Sequence, residues 1–203
     1  MAVSKTVAPS SLRAAVAAGL TTLGENRVQE AAAKQPLVPG ASWHLVGHLQ
    51  GNKARAALAV FEVIESVDSL ELAGRLDRLV GDDAGLARGG LPRRVLVQVN
   101  VDADTAKSGF APAELEAALP ELAALPRLRL EGLMTVGRLG GSAESARPTF
   151  VALRRLSARL RAIEPRLGPE LSMGMSDDYG VAVEEGATIV RVGRAIFGAR
   201  PPL

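Results

Sequence analysis

The chain has 203 residues, a length that suits one domain (residues 1–203) with a substantial buried core. It contains no cysteine, its net charge is only +2 and its aromatic content is 3%, which excludes disulfides, thiolate nucleophiles and cysteine-ligated metal sites and argues against nucleic-acid binding. No apolar run approaches the roughly 20 residues of a membrane span, and no signal sequence opens the chain, so we expect a soluble cytoplasmic protein.

Short runs rich in β-branched and apolar residues alternate with longer segments of helical period. The short runs predict eight strands, at residues 2–5, 22–25, 43–47, 61–66, 94–100, 129–136, 170–174 and 188–193. The longer segments have Ser, Asp or Pro at their starts and predict helices at 10–19, 68–80, 112–125 and 146–164. Two stretches rich in Gly and polar residues predict loops at 81–92 and 137–145.

This alternation of strands and helices predicts a parallel α/β fold, and eight such units predict a (β/α)8 TIM barrel. The chain is short against the ~250 residues usual for that fold, and the first predicted strand starts directly after Met1. We therefore expect a barrel shortened at the N-terminus. A doubly wound open sheet is the alternative, because periodicity does not show whether a sheet closes.

The carboxyl ends of the strands meet at one face of a barrel, where its chemistry gathers. In chain order the predicted strands deliver Lys5, Gly24-Glu25-Asn26, Gly47-His48, Asn100, Met134-Thr135, Gly174-Met175-Ser176 and Arg191-Val192-Gly193 to that face. No set of carboxylates emerges that could hold a metal, so the sequence predicts no metal site.

Three of these positions allow two interpretations each. Lys5 ends a predicted buried strand, where partial desolvation would expose its amine as a nucleophile, or it lies in a frayed terminus without a role. Gly193 could turn backbone N–H groups toward a phosphate or simply make a tight connection. Ser176, followed by two aspartates, could contact the same phosphate or start a helix. Taken together with an arginine on a neighbouring strand, these residues suggest an aldehyde cofactor that carries a phosphate.

The stretch "VNVDADTAKSGF" invites a different interpretation, as a calcium loop. Asp102 and Asp104 lack the glycine and the terminal glutamate that such a loop requires, so we do not expect metal binding there. Lys107 is interpreted as a loop cation near the mouth of the barrel. His44, inside a strand, is expected in the core, and His48, in a loop, near the site.

Seven segments carry a family resemblance. They are "AVSKT", "GENRVQE", "WHLVGHLQGNK", "KSGF", "EGLMTV", "LSMGMSDD" and "RVGRAIFGAR". In this order they resemble the signature segments of the pyridoxal 5′-phosphate homeostasis protein family, which is related to the N-terminal barrel of alanine racemase. They run from residue 2 to residue 200 and so cover nearly the whole chain. The family usually has about a helix and part of a strand before the first segment.

The resemblance implies a cofactor, pyridoxal 5′-phosphate, and assigns roles to residues. Lys5 matches the lysine that holds the cofactor as a Schiff base, and Asn26 matches a residue beside it. Arg191 matches the arginine that faces the pyridine nitrogen. A cation at that nitrogen opposes its protonation and weakens the ring as an electron sink, which disfavours carbanion chemistry.

The resemblance also implies a phosphate cradle made by Ser176, Gly193 and Arg194. Position 194 often holds a small hydroxyl residue in the family, whereas an arginine stands here. We therefore expect Arg194 to contribute through its backbone N–H.

Three classes of function follow. The first, which we favour, is a non-catalytic protein that holds and releases pyridoxal phosphate and passes it transiently to apo-enzymes that use it. The second is an amino-acid racemase, which needs a second acid/base on the opposite cofactor face; Tyr179 is the only tyrosine in the chain. The third is a regulatory module that binds another protein.

Overall fold

The computed structural model describes residues 1–137 and 142–198. Eight parallel strands form one sheet in sequential order. They are β1 (Ala2–Val3), β2 (Thr22–Glu25), β3 (Ser42–Leu45), β4 (Val63–Val67), β5 (Arg93–Gln98), β6 (Leu128–Met134), β7 (Glu170–Met175) and β8 (Ile189–Arg191). All eight predicted strands are present. Residues 138–141 of the second predicted loop lie outside the described residues.

The sheet closes on itself between its first and last strands. The N–H of Val3 donates to the carbonyl oxygen of Val192 at 2.8 Å, and Ala2 forms a parallel bridge with Val192. Although β1 has only two residues, it pairs with β2 on its other side, where Ala2 faces Leu23 and Val3 faces Gly24. The (β/α)8 barrel is therefore confirmed, and the open-sheet alternative is wrong.

Each strand is followed by a helix. These are α1 (Pro9–Ala17), α2 (Val28–Lys34), α3 (Ala54–Val60), α4 (Leu70–Asp82), α5 (Pro112–Ala123), α6 (Arg147–Ile163), α7 (Tyr179–Glu184) and α8 (Arg194–Phe197). The four helices with predicted bounds are confirmed. The other four have seven residues or fewer. Such short helices are marginal alone and depend on packing against the sheet, which periodicity in the sequence does not reveal. In the described part of the chain, no helix has the length and apolarity needed to cross a membrane.

Two apolar layers support the barrel. The larger lies between sheet and helices and buries Trp43, Phe61 and Phe150 completely or almost so. The smaller lies inside the barrel, where Val63, Leu96 and Met134 form a separate buried cluster. Side chains two residues further along a strand face the same side, so the positions after this cluster also point into the barrel, nearer the carboxyl ends of the strands.

Candidate functional site at the mouth of the barrel

Lys5 lies in the turn that follows β1, half-buried, and not at the end of a strand as the sequence predicted. The strand stops early because the chain turns here: Thr6 has a φ of 65°, a left-handed conformation that is strained for a β-branched residue. Its backbone N–H donates to Glu30 Oε1 at 2.7 Å. A strained backbone conformation persists only when surrounding residues hold it, and the hydrogen bond from Thr6 to Glu30 is one of the contacts that do so.

Lys34 provides the other support. Its Nζ donates to the carbonyl oxygen of Ser4 at 2.6 Å, to Glu25 Oε1 at 2.7 Å and to Glu30 Oε1 at 2.6 Å. Burial raises the pKa of Glu25, although the bonds from Lys34 and Ser4 oppose the shift. At Glu30, burial also acts to raise the pKa, but the bonds from Lys34 and Thr6 outweigh it and the pKa is lowered.

Sequence reasoning missed this support for the Lys5 turn. The i,i+4 spacing of Glu30 and Lys34 was a usable signal, because such pairs lie side by side on a helix. Nothing in the sequence indicated that Glu25, 0% exposed, would join them from β2.

A cavity of about 280 Å³ opens between the turn after β1 and the start of α8. Lys5, Gly193 and Arg194 all line it, together with Ser11 of α1. The structure thus brings together three of the six residues predicted for the site. Gly193 lets the backbone after β8 lie close to the end of β1, since a Cβ added at residue 193 would lie 3.3 Å from the carbonyl oxygen of Val3.

Ser176 lies beside this cavity. Its Oγ accepts a hydrogen bond from the N–H of Gly193 at 3.3 Å. The guanidinium of Arg194 pairs with Asp177, and both side chains are largely exposed. Asp178 precedes α7 and accepts from the N–H of Met175 at 2.6 Å, so it fixes the turn that presents Ser176.

Arg191 is buried inside the barrel, two residues before Gly193. Its Nη1 donates to Ser172 Oγ at 2.7 Å and its Nη2 donates to the carbonyl oxygen of Thr135 at 2.6 Å. Burial lowers the pKa of the Arg191 guanidinium, and the charges of Glu65 and Asp178 oppose that shift. The guanidinium is therefore fixed in position beneath the mouth of the barrel.

Asn26 faces a different cavity from Lys5. This second cavity has about 320 Å³ and is lined by Asn26, Arg27, His48 and Lys53, among others. His48, expected near the site, is exposed, and its Nδ1 lies 2.9 Å from Asp68 Oδ2. His44, by contrast, is buried in β3, as the sequence predicted.

The polar stretch after β5 is held together by Lys107. The Nζ of Lys107 lies 3.2 Å from Asp102 Oδ2 and 3.6 Å from Asp104 Oδ2, and it donates to the carbonyl oxygen of Val136 at 3.2 Å. Both aspartates thus have a cation as partner. Among the described residues, no group of three His, Asp or Glu side chains could hold a metal ion.

The chemistry of the cavity fits an aldehyde that carries a phosphate. A lysine amine can bond covalently to an aldehyde carbon. The Ser176 hydroxyl and the backbone N–H of Gly193, already 3.3 Å from each other, are groups that bind phosphate oxygens. Arg194 also lines the cavity, and its guanidinium pairs with Asp177.

Comparisons with known proteins show the family and the fold of the chain. The family model described as "Alanine racemase, N-terminal domain" matches residues 1–201. The pyridoxal phosphate homeostasis protein of Pseudomonas aeruginosa is 42% identical over 203 residues, covering 98% of this chain and 84% of that protein. PipY of Synechococcus elongatus, solved with PLP bound, is 44% identical with a TM-score of 0.88, covering 98% of this chain and 91% of PipY. An alanine racemase of Clostridium difficile, 17% identical with a TM-score of 0.73, covers 99% of this chain and 51% of the racemase and shares the fold.

Proposed function

Since the chain belongs to the alanine racemase N-terminal domain family and to the pyridoxal phosphate homeostasis proteins, we propose that it binds pyridoxal 5′-phosphate reversibly and contributes to the homeostasis of this cofactor. The observation that carries the proposal is the cavity lined by Lys5, Gly193 and Arg194. The PLP-bound relative, PipY, supports the same cofactor for this chain.

Lys5 is the residue that we propose to hold the cofactor covalently. Its Nζ, as the neutral amine, would bond to the aldehyde carbon with loss of the aldehyde oxygen as water, and hydrolysis of that bond would release the cofactor again. Glu30 and Lys34 hold the backbone on either side of Lys5, so the residue has a defined place at the edge of the cavity.

We propose that Ser176, Gly193 and Arg194 hold the phosphate. The Ser176 hydroxyl and the backbone N–H groups at 193 and 194 would bind its oxygens, and Gly193 N–H would exchange its bond to Ser176 for a phosphate oxygen. Such contacts fix orientation without requiring any covalent chemistry.

We propose that Arg191 faces the ring nitrogen and that Asn26 lies beside the cofactor. Bound pyridoxal phosphate would supply an electron sink for carbanions, and this sink is stronger when the ring nitrogen is protonated. The buried guanidinium of Arg191 opposes that protonation. Asn26 would reach the cofactor from the neighbouring loop, where it lines the second cavity.

We propose a role in holding and releasing the cofactor, with transfer to apo-enzymes, rather than catalysis on amino acids. The relatives are named homeostasis proteins, which supports this choice. A racemase would need a second acid/base on the opposite cofactor face. Tyr179, the one tyrosine in the sequence, is 44% exposed at the start of α7 and is not among the described residues that line the Lys5 cavity.

The proposal predicts a visible absorbance band when the purified protein is mixed with pyridoxal phosphate, and borohydride should then fix the cofactor to Lys5. Lys5→Ala should lose the band, because no other residue lining the cavity carries an amine side chain. Peptide mapping of the reduced protein identifies the modified lysine.

Lys53→Ala is the matched control, since Lys53 lines the second cavity and should leave the band unchanged. Label on Lys53 or Lys107 in place of Lys5 would contradict the proposed site. Turnover of a common amino acid, dependent on Lys5 and absent in Lys5→Ala, would instead favour the racemase alternative.

A further inference from the structure

A chain of polar side chains crosses the inside of the barrel below the cavity. Arg191 Nη1 donates to Ser172 Oγ at 2.7 Å, and Ser172 Oγ donates to Glu65 Oε2 at 2.5 Å. The other oxygen of that carboxylate, Oε1, lies 2.6 Å from His44 Nδ1. Four strands, β3, β4, β7 and β8, each contribute one member, and all four side chains are buried.

The hydrogen bonds leave little freedom in this chain. Because a guanidinium only donates, the Ser172 hydroxyl must accept from Arg191, which leaves its own proton for Glu65. The Nη2 of Arg191 donates to the carbonyl oxygen of Thr135, so the guanidinium is bound at two points. The orientation of the guanidinium therefore depends on Glu65 through a single hydroxyl.

Glu65 also balances charge. A buried guanidinium is costly without an opposite charge nearby, and Glu65 is 0% exposed. Among the described residues, the other charged or titratable groups that act on this pair include His44 on β3, Asp178 after β7 and the ammonium group of Met1 before β1. Glu65 is connected to Arg191 by hydrogen bonds through one side chain, that of Ser172.

We propose that Glu65 is a positioning residue for Arg191: through Ser172 it orients the guanidinium and offsets part of the positive charge that Arg191 presents to the cofactor ring. This inference rests on the proposed function, in which Arg191 faces the ring nitrogen. It gives the polar chain a role in setting the protonation of a bound cofactor, in addition to any role in the stability of the barrel.

The direction of the effect follows from the charges. In Glu65→Gln the carboxylate charge is lost while the side chain keeps its shape, and Arg191 stays protonated because its guanidinium does not lose its proton in proteins. An arginine without its counter-charge opposes protonation of the cofactor more strongly. The pH midpoint of the visible band should therefore move to lower pH, by about half a unit or more.

The first experiment is a pH titration of that band in the parent protein, Glu65→Gln and the matched control Glu62→Gln. Glu62 precedes β4, and the Ser42 hydroxyl bonds to it at 3.2 Å, so its replacement removes the same charge outside the polar chain. We expect the acid shift in Glu65→Gln alone. Equal midpoints in all three proteins would overturn the tuning role.

A second experiment needs no cofactor. In apo-protein labelled with ¹⁵N-arginine, the Arg191 side-chain N–H signals are assigned by their loss in Arg191→Lys, and their exchange with water is measured. We expect exchange roughly tenfold faster in Glu65→Gln than in the parent or Glu62→Gln. Ser172→Ala, which breaks the link but keeps both charges, should show the same acceleration.

The two experiments separate the two proposals. If the parent protein forms no lysine-linked band, the proposed function fails, while the apo-protein exchange still decides whether Glu65 holds Arg191. If the band forms and Arg191 exchanges at the parent rate in both Glu65→Gln and Ser172→Ala, the positioning role is wrong and the proposed function stands.

Discussion

At the scale of single residues, the site depends on side chains that never touch the cavity. Lys34 holds the Lys5 turn through Ser4 and Glu30, and it neutralises Glu25. This arrangement couples stability to function, because the same ammonium group pairs a buried carboxylate and fixes the backbone beside the proposed nucleophile.

Replacement of Lys34 by methionine should lower the free energy of unfolding by about 3–5 kcal/mol at neutral pH, because it leaves the Glu25 carboxylate buried and unpaired. Burial already raises the pKa of Glu25. A carboxyl group with a raised pKa binds its proton more tightly in the folded state, so the penalty should shrink as the pH falls through that raised pKa. Urea unfolding across pH measures both effects.

Arg159→Ala provides the control for this variant. Arg159 pairs with Glu116 at the surface, where an ion pair contributes less than about 1 kcal/mol. A loss of stability in Lys34→Met no larger than in Arg159→Ala, or one that grows on acidification, would contradict the role of Lys34.

The sequence indicated part of the site at this scale and missed part. Lys5 and Gly193 could be singled out because each ends a predicted strand, and both line the cavity. Glu65 and Ser172 could not, because they meet across the barrel from positions 107 residues apart. Only closure of the sheet makes them neighbours.

At the scale of elements, the mouth of the barrel is shaped by how closely its loops approach each other. The loop after β3 passes the loop after β2 at Gly47, where an added Cβ would lie 2.3 Å from the carbonyl oxygen of Asn26. No flexible side chain is involved, so the backbone of one loop would have to move. Asn26 is therefore positioned by a glycine on the next strand-to-helix connection.

Gly47→Ala should displace Asn26 and weaken cofactor binding, at a cost in stability of about 1–3 kcal/mol from overpacking. Gly51→Ala is the matched control, because its added Cβ would meet the Arg75 side chain at ordinary contact distances, 3.5 Å to Cδ and 3.8 Å to Nε. Titration of the visible band with pyridoxal phosphate compares the two. Equal affinity in both variants would show that Asn26 does not contribute to binding.

The length of a helix decides whether the sequence predicts it. The 13-residue α4 was predictable, because Ser69 caps it by accepting from the N–H of Leu72 at 3.2 Å and an apolar face follows. The seven-residue α2 and α3 carry too few turns for a clear period and form because the sheet packs against them.

At the scale of the whole molecule, the cavity lies where the barrel closes. The turn after β1 and the start of α8 line it, so a bound cofactor would touch both sides of that closure. Periodicity alone did not predict closure, since it is the same in open and closed parallel sheets; the count of eight strand–helix units is what favoured the barrel. The order and number of strands could be predicted, because each strand has its own apolar run.

Saturation with pyridoxal phosphate should slow amide hydrogen exchange most at the closure. We expect the amides of Val3 and Val192 to gain more protection than those of β5, because a ligand that contacts both edges suppresses their separation. Exchange followed by mass spectrometry, with Lys5→Ala under the same conditions as the control, measures the difference. Uniform protection along the chain, or protection retained in Lys5→Ala, would argue against binding at this closure.

The pairing of strands is uneven around the ring, and this has a mechanical consequence. One parallel bridge, between Ala2 and Val192, joins the last strand to β1, whereas two to six aligned residue pairs join the other neighbouring strands. A closed sheet that is pulled or heated opens first where neighbouring strands share the fewest aligned pairs, and here that place adjoins Lys5. Force or heat that opens the barrel would dismantle the cofactor site as its first step, long before the strands on the far side separate.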